Sequence, residues 1–181
     1  MWNPNILYNK TEESEEGRKH MRQIVTYPHK ALIRPTKPVT RLSKDVLRLL
    51  DEMHDVMVAR DGIGLAANQL GVSQSIAIVE LDEESGLFEM INPKIIRHSK
   101  KTDIDVEGCL SFPDTFGTVE RYTEITVQYV DREGYEVEVD ASGYLARVFQ
   151  HEIEHLSGKI FTDRIIDPMS PEELSDYMEG K

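Results

Sequence analysis

Tyr144-Leu145-Ala146-Arg147-Val148-Phe149-Gln150-His151-Glu152-Ile153-Glu154-His155-Leu156 is the stretch around which the rest of the chain must be arranged. Leu145, Val148, Phe149, Ile153 and Leu156 recur at helical spacing, which predicts a helix buried on one side. Gly143 would open it and Gly158 would close it. Residues four apart share a helix face, so His151 and His155 point the same way, one turn apart. Two buried imidazoles need a partner, and a metal ion serves both. Glu152 sits beside the first of them, placed to take a proton from water activated by that metal.

Two histidines leave a tetrahedral site short of one protein ligand and one open position. A protease of this helix type would recruit a downstream glutamate, and Glu172, Glu173 and Glu179 are available in a polar tail. Upstream stands the only cysteine, within Glu107-Gly108-Cys109-Leu110-Ser111. A lone cysteine forms no intramolecular disulfide. Its ordinary fate is to fill a core as a small hydrophobe. A glycine-containing bend with a carboxylate two residues earlier suits a metal ligand better. A third segment, Gly62-Ile63-Gly64-Leu65-Ala66-Ala67-Asn68-Gln69, has the small residues that let another backbone approach closely. No Lys-Ser or Lys-Thr follows it, so it is no phosphate loop. Gln69 offers an amide that can donate to an oxyanion.

In this order G-I-G-L-A-A-N-Q (62–69), E-G-C-L-S (107–111) and Q-H-E-I-E-H-L (150–156) resemble the three signature segments of the peptide deformylases. The likeness runs from about residue 21 to 168, with Ile24-Val25-Thr26-Tyr27-Pro28 resembling the family's opening strand and Ile91-Asn92-Pro93 its step before the second motif. The resemblance implies a hydrolase that removes the formyl group from N-formylmethionyl nascent peptides and releases formate. Cys109, His151 and His155 would hold one divalent metal, with Glu152 as general base for the water that attacks the formyl carbon. The Gln69 side chain and the Leu110 backbone N–H would hold the oxyanion. Backbone groups of Ile63, Gly64 and Gly108 would bind the peptide as an added strand. Ile63 and Val148 would line the methionine pocket. Ligand type alone favours zinc, with iron, cobalt and nickel also suited; the resemblance implies Fe(II) in the cell, often exchanged for zinc or nickel on purification.

This chain departs from the family pattern at three places. Glu154 stands where an aspartate is usual, and Arg121 is its expected partner. Phe116 stands near where some relatives carry a substrate-facing arginine. The C-terminal Glu172–Glu179 segment is acidic where some relatives end in a basic, ribosome-docking helix, so weak, transient ribosome association is expected. Two readings stay open here: a metalloprotease, which would not need Cys109, and a non-catalytic relative that binds peptide or metal only.

A length of 181 residues suits one domain over 21–181, preceded by an acidic extension over 1–20 with Glu12, Glu13, Glu15 and Glu16. A formal charge of −12 argues against nucleic-acid binding through the protein's own field. No apolar run is long enough for a membrane span. One cysteine fits a reducing cytoplasm; an organelle or phage-encoded copy would read the same way. Val46, Leu49, Leu50, Met53 and Met57 predict a second helix over 42–60, capped by Ser43, with His54 as an ordinary helix residue. Strands are expected at 75–80, 87–91, 94–99 and 122–130, the last turning through Asp131–Gly134 into 135–139. Ser170 and Pro171 predict a short terminal helix. The sum is an α+β fold: antiparallel strands packed around a central metal-binding helix.

Overall fold

The computed structural model describes residues 21–180, so the acidic stretch 1–20 lies outside the described residues. The first helix, α1 (Lys44–Val58), starts where Ser43 Oγ accepts from the Val46 N–H at 3.3 Å. Its buried stripe is the expected one, with Val56 added. His54 sits on its outer side and pairs with Glu80 at 2.8 Å, as an ordinary helix histidine does. After α1 come β1 (Gly64–Ala66), a 3-10 turn (Ala67–Leu70), β2 (Ile76–Val79), β3 (Phe88–His98), β4 (Thr102–Cys109), β5 (Phe112–Tyr122), β6 (Glu124–Val130) and β7 (Glu136–Ser142). The metal-motif helix α2 (Gly143–Leu156), a second 3-10 turn (Phe161–Arg164), β8 (Pro168–Met169) and α3 (Pro171–Glu179) complete the α+β fold.

Five strands form one antiparallel sheet in the order β1-β2-β3-β6-β7, and three form another in the order β4-β5-β8. The unbroken apolar run Ile76-Ala77-Ile78-Val79 has a direct cause. Alternate strand residues face opposite sides, and both sides of β2 are covered. Ala77 and Val79 pack with Ala146, Val148 and Phe149 of α2. Ile76 and Ile78 pack with Leu50 and Met53 of α1. The helix that carries the motif is therefore fixed against the sheet by its apolar stripe, with its histidines turned toward a third, smaller cluster around Leu32, Cys109, Phe112 and Phe161.

Four expectations need correction. The strands foreseen at 87–91 and 94–99 are one strand, β3. Asn92-Pro93 makes a bulge in it: Asn92 has φ of 53° and the register with β6 shifts between Ile91 and Lys94. The Asn92 side chain exchanges two 2.8 Å hydrogen bonds with the Val39 backbone. The strand foreseen over 122–130 begins after a break at Thr123, because Tyr122 belongs to β5. Residues 24–28 join neither sheet. Instead the Val25 N–H donates to Gln69 O at 2.8 Å and the Tyr27 N–H to Ser111 O at 3.0 Å, so this segment ties two of the three motifs together. Finally, the β4–β5 hairpin was not foreseen. Asp103, Asp105 and Glu107 alternate with Ile104 and Val106 along β4, but the burial is inverted: Glu107 is buried while Ile104 is exposed.

α2 ends as its glycine predicts. Gly158 has φ of +71°, and a Cβ there would lie 2.6 Å from the Arg34 carbonyl carbon. The backbone of Arg34 and Pro35 thus crosses the helix end in contact. The last α2 carbonyls are bound from outside: Thr36 N–H donates to Leu156 O at 2.9 Å and Asn68 Nδ2 to His155 O at 2.6 Å. In α3 the Ser170 hydroxyl accepts from Glu173 N–H while Glu173 accepts from Ser170 N–H, at 3.2 and 2.7 Å. No helix among the described residues is long and apolar enough to cross a membrane.

Candidate metal centre

Cys109 ends β4, and the turn at Leu110–Ser111 carries the chain into β5. That bend brings the thiol over the face of α2. The ligand atoms of Cys109, His151 and His155 all lie within 4.8 Å of one another, and all three residues are buried. Cys109 Sγ is 3.2 Å from His155 Nε2. His151 Nε2 is buried with no hydrogen-bond partner among the described residues. An orphaned imidazole nitrogen beside a thiol and a second imidazole is the donor set of a closed-in metal site, one ligand short of tetrahedral. The residues present fit a single divalent ion. Glu172, Glu173 and Glu179 lie on α3 and none joins the cluster, which removes the protease-type ligand set.

Glu107 orients the first imidazole. Residues i and i+2 of a strand point to the same side, so Glu107 reaches α2 beside Cys109. Its Oε2 lies 2.9 Å from His151 Nδ1. Arg121 on β5 grips the same carboxylate through two 2.8 Å bonds, and Arg147 of α2 adds one at 2.9 Å. Burial alone would raise the Glu107 pKa; the bonds from Arg121 and His151 reverse this and hold the carboxyl well below the usual range. With Glu107 an acceptor only, Nδ1 of His151 is the donor and Nε2 is left for a metal.

Arg121 also donates to Glu154 at 2.6 Å, the expected pairing. The extra methylene of Glu154 reaches a second cation that was not anticipated, since Arg164 lies 2.6 Å from its other oxygen. Arg164 and Phe161 share one 3-10 turn, and the Phe161 ring centre is 5.6 Å from that of His151.

Gln69, fully buried, closes the opposite side. Its Oε1 accepts from the Ala66 N–H at 2.8 Å, which fixes the amide orientation. Its Nε2 then points to Ser111 Oγ at 3.3 Å and Cys109 Sγ at 3.5 Å. Glu152 is fully buried, and a Cβ on Gly64 would come within 2.6 Å of its Oε1. The glycine-rich strand therefore lies directly on the carboxylate beside the Cys109, His151 and His155 cluster. Ile63 and Val148 belong to one apolar cluster behind this point. Glu107, Arg147 and Ser111 had no assigned role in the sequence reading. The carboxylate two residues before the cysteine was the one legible signal for Glu107.

Burial lowers the pKa of both histidines, but with opposite outcomes. For His151 the neighbouring Cys109 and Glu107 outweigh burial and push it up to about 9. For His155 burial, reinforced by the charge on His151, pushes it well below its ordinary value. A metal must displace the His151 proton, so protons compete with it below about pH 9. Apparent affinity for Zn(II) is expected to rise at least about tenfold per pH unit through neutrality. Chelator competition at several pH values measures this; a flat profile contradicts it.

Comparison with known proteins gives one consistent answer. Residues 21–170 match the family model described as polypeptide deformylase. The chain is 39% identical over 160 residues to peptide deformylase 1 of Bacillus subtilis, covering 88% of this chain and 99% of that protein. It is 48% identical over 130 residues to the peptide deformylase of Halothermothrix orenii, covering 72% of this chain and 84% of that one. The crystal structure of peptide deformylase from Thermotoga maritima superposes with a TM-score of 0.78 at 39% identity, over 81% of this chain and 99% of that one.

Proposed function

The chain belongs to the polypeptide deformylase family, and on that premise we propose how its residues divide the work. The reaction is hydrolysis of the formyl group on newly made peptides, releasing formate. Cys109, His151 and His155 would hold the metal, which when bound would supply Lewis-acid activation of the attacking water and of the formyl oxygen. Glu152 takes the proton from the attacking water and returns it to the departing amine. The Gln69 amide, locked by the Ala66 N–H, and the Leu110 backbone N–H hold the developing oxygen charge.

The peptide binds as an extended strand. β1 ends the strand order of one sheet and β4 that of the other. Gly64 lies on β1 and Gly108 on β4, so both edges can offer backbone groups, with Ile63 adding to the first. The methionine side chain enters the apolar region that Ile63 shares with Val148. We assign Fe(II) as the metal in the cell, with zinc, nickel or cobalt able to replace it, since one thiolate and two imidazoles suit all four. The acidic residues of α3 support weak, transient ribosome association and no specific nucleic-acid binding. The site of action is the cytoplasm, where formylated nascent chains are made.

The contact between Gly64 and Glu152 carries this reading, because it puts the proton acceptor against the strand that would bind substrate. Gly64→Ala tests it. The new methyl must displace the carboxylate, and a misplacement of about 1 Å costs about 10²-fold. The expected result is formate release reduced by about that factor with the metal content unchanged. Wild-type turnover in Gly64→Ala contradicts the placement of Glu152.

A further inference from the structure

Arg147, like Arg121, is a buried cation that the proposed reaction does not use. It lies on α2 one turn before His151 and is 2% exposed. A guanidinium so deep in a protein needs a reason, because burial without partners is costly. Its partners all come from the hairpin that carries Cys109. Nη1 donates to Glu107 Oε1 at 2.9 Å and to Val119 O at 2.7 Å. Nη2 donates to Asp103 Oδ1 at 2.7 Å and Asp103 O at 3.2 Å. One side chain on the histidine-bearing helix thus grips the cysteine-bearing strand from Asp103 to Glu107.

The Glu107 carboxylate shows what this grip accomplishes. Oε1 accepts from Arg121 Nε and Arg147 Nη1, and Oε2 accepts from Arg121 Nη2 and His151 Nδ1. An ionised carboxylate has about four lone-pair sites, and all are filled. The carboxylate that orients His151 therefore has no freedom to turn. We propose that Arg147 is a positioning residue of the metal centre: it locks Glu107 and holds α2 against β4, so that His151 and Cys109 keep one geometry. The proposal rests on the reading that Cys109, His151 and His155 are the ligands.

The fork of Arg147 is what the site needs, since lysine has no second planar donor pair to span Asp103 and Glu107. A merely structural tie of comparable depth is available for comparison. Gln150, also on α2, bonds the Tyr122 N–H and C=O of β5 at 3.0 and 2.9 Å and does not touch Glu107.

The test uses the full chain loaded with Co(II), whose visible spectrum reports ligand geometry, with release followed by chelator challenge. Arg147→Met is expected to release metal about 10–100-fold faster than wild type, with an altered Co(II) spectrum, a lower kcat and an unchanged KM. Arg147→Lys should fall between. Gln150→Ala should lower the melting midpoint yet keep the wild-type spectrum and release rate. Wild-type release and spectrum in Arg147→Met would overturn the proposal. So would equal acceleration in Gln150→Ala at matched loss of stability. Should Arg147→Met not fold, Arg147→Lys against Gln150→Ala makes the same decision. The ligand reading fails separately, through a Cys109→Ala variant that holds Co(II) as tightly as wild type.

Discussion

Glu152→Ala is expected to keep its metal and lose formate release by about 10²–10⁴-fold, the usual worth of a positioned proton-transfer group. The residue is fully buried between His151 and His155 of α2 and the glycine-rich strand β1. Among the described residues no other carboxylate stands in that place: Glu107 is filled by its four donors and Glu154 is held between Arg121 and Arg164. Neither can turn to substitute for it. Glu152→Gln keeps the shape and removes the base, so the same loss is expected there without a cavity. The loss should fall on kcat, since the residue is assigned to proton transfer rather than to holding the peptide. Metal content by elemental analysis and formate release from formyl-Met-Ala-Ser check both halves together. A Glu152→Ala enzyme that turns over at the wild-type rate would remove the general-base assignment.

Glu107→Ala should be the most destabilising single change in the site, by about 3–5 kcal/mol. The side chains of Glu107, Arg121 and Arg147 are 0%, 2% and 2% exposed. Removing the carboxylate leaves two buried guanidiniums without their shared partner, and His151 without the acceptor for Nδ1. The cost comes from the groups left behind rather than from the bonds alone. A drop in metal affinity of about 10–100-fold should accompany it, because an orienting acceptor of a ligand histidine is lost. The exposed cluster of Arg132 with Asp51 gives the contrast: Asp51→Ala should cost no more than about 1 kcal/mol. Denaturant unfolding of both variants separates the cases. Equal costs would mean that the buried network contributes no more than a surface pair.

The parts of the site that were legible in the sequence were legible for different reasons. His151 and His155 lie one helical turn apart, which spacing alone gives, and Cys109 stands at a glycine-containing bend; the role expected of Gln69 came from the family resemblance and not from spacing. The parts that escaped depend on elements far apart in the chain. Arg147 reads as a polar position on an amphipathic helix, and only the fold turns it inward to β4. β4 was missed although Ile104 and Val106 alternate with Asp103, Asp105 and Glu107 in the period of a strand. What only the fold supplies is the buried arginine that its Asp103 and Glu107 bind. Arg121 was foreseen as the partner of Glu154, and the 2.6 Å bond is there. Arg164 was not, because its approach depends on how the chain returns after Gly158. Residues 24–28 have strand-like composition but bond to Gln69 and Ser111 instead of to a strand. Propensity gives way to tertiary context there.

The most direct test of the account is the metal-to-protein ratio of Cys109→Ala, prepared without oxygen and measured beside wild type together with formate release. The account predicts about one metal per chain in wild type and loss of both metal and formate release in the variant. A Cys109→Ala protein that keeps one tightly held metal would mean that the thiol at the end of β4 is not a ligand. The centre described by Cys109, His151 and His155 would then be wrong.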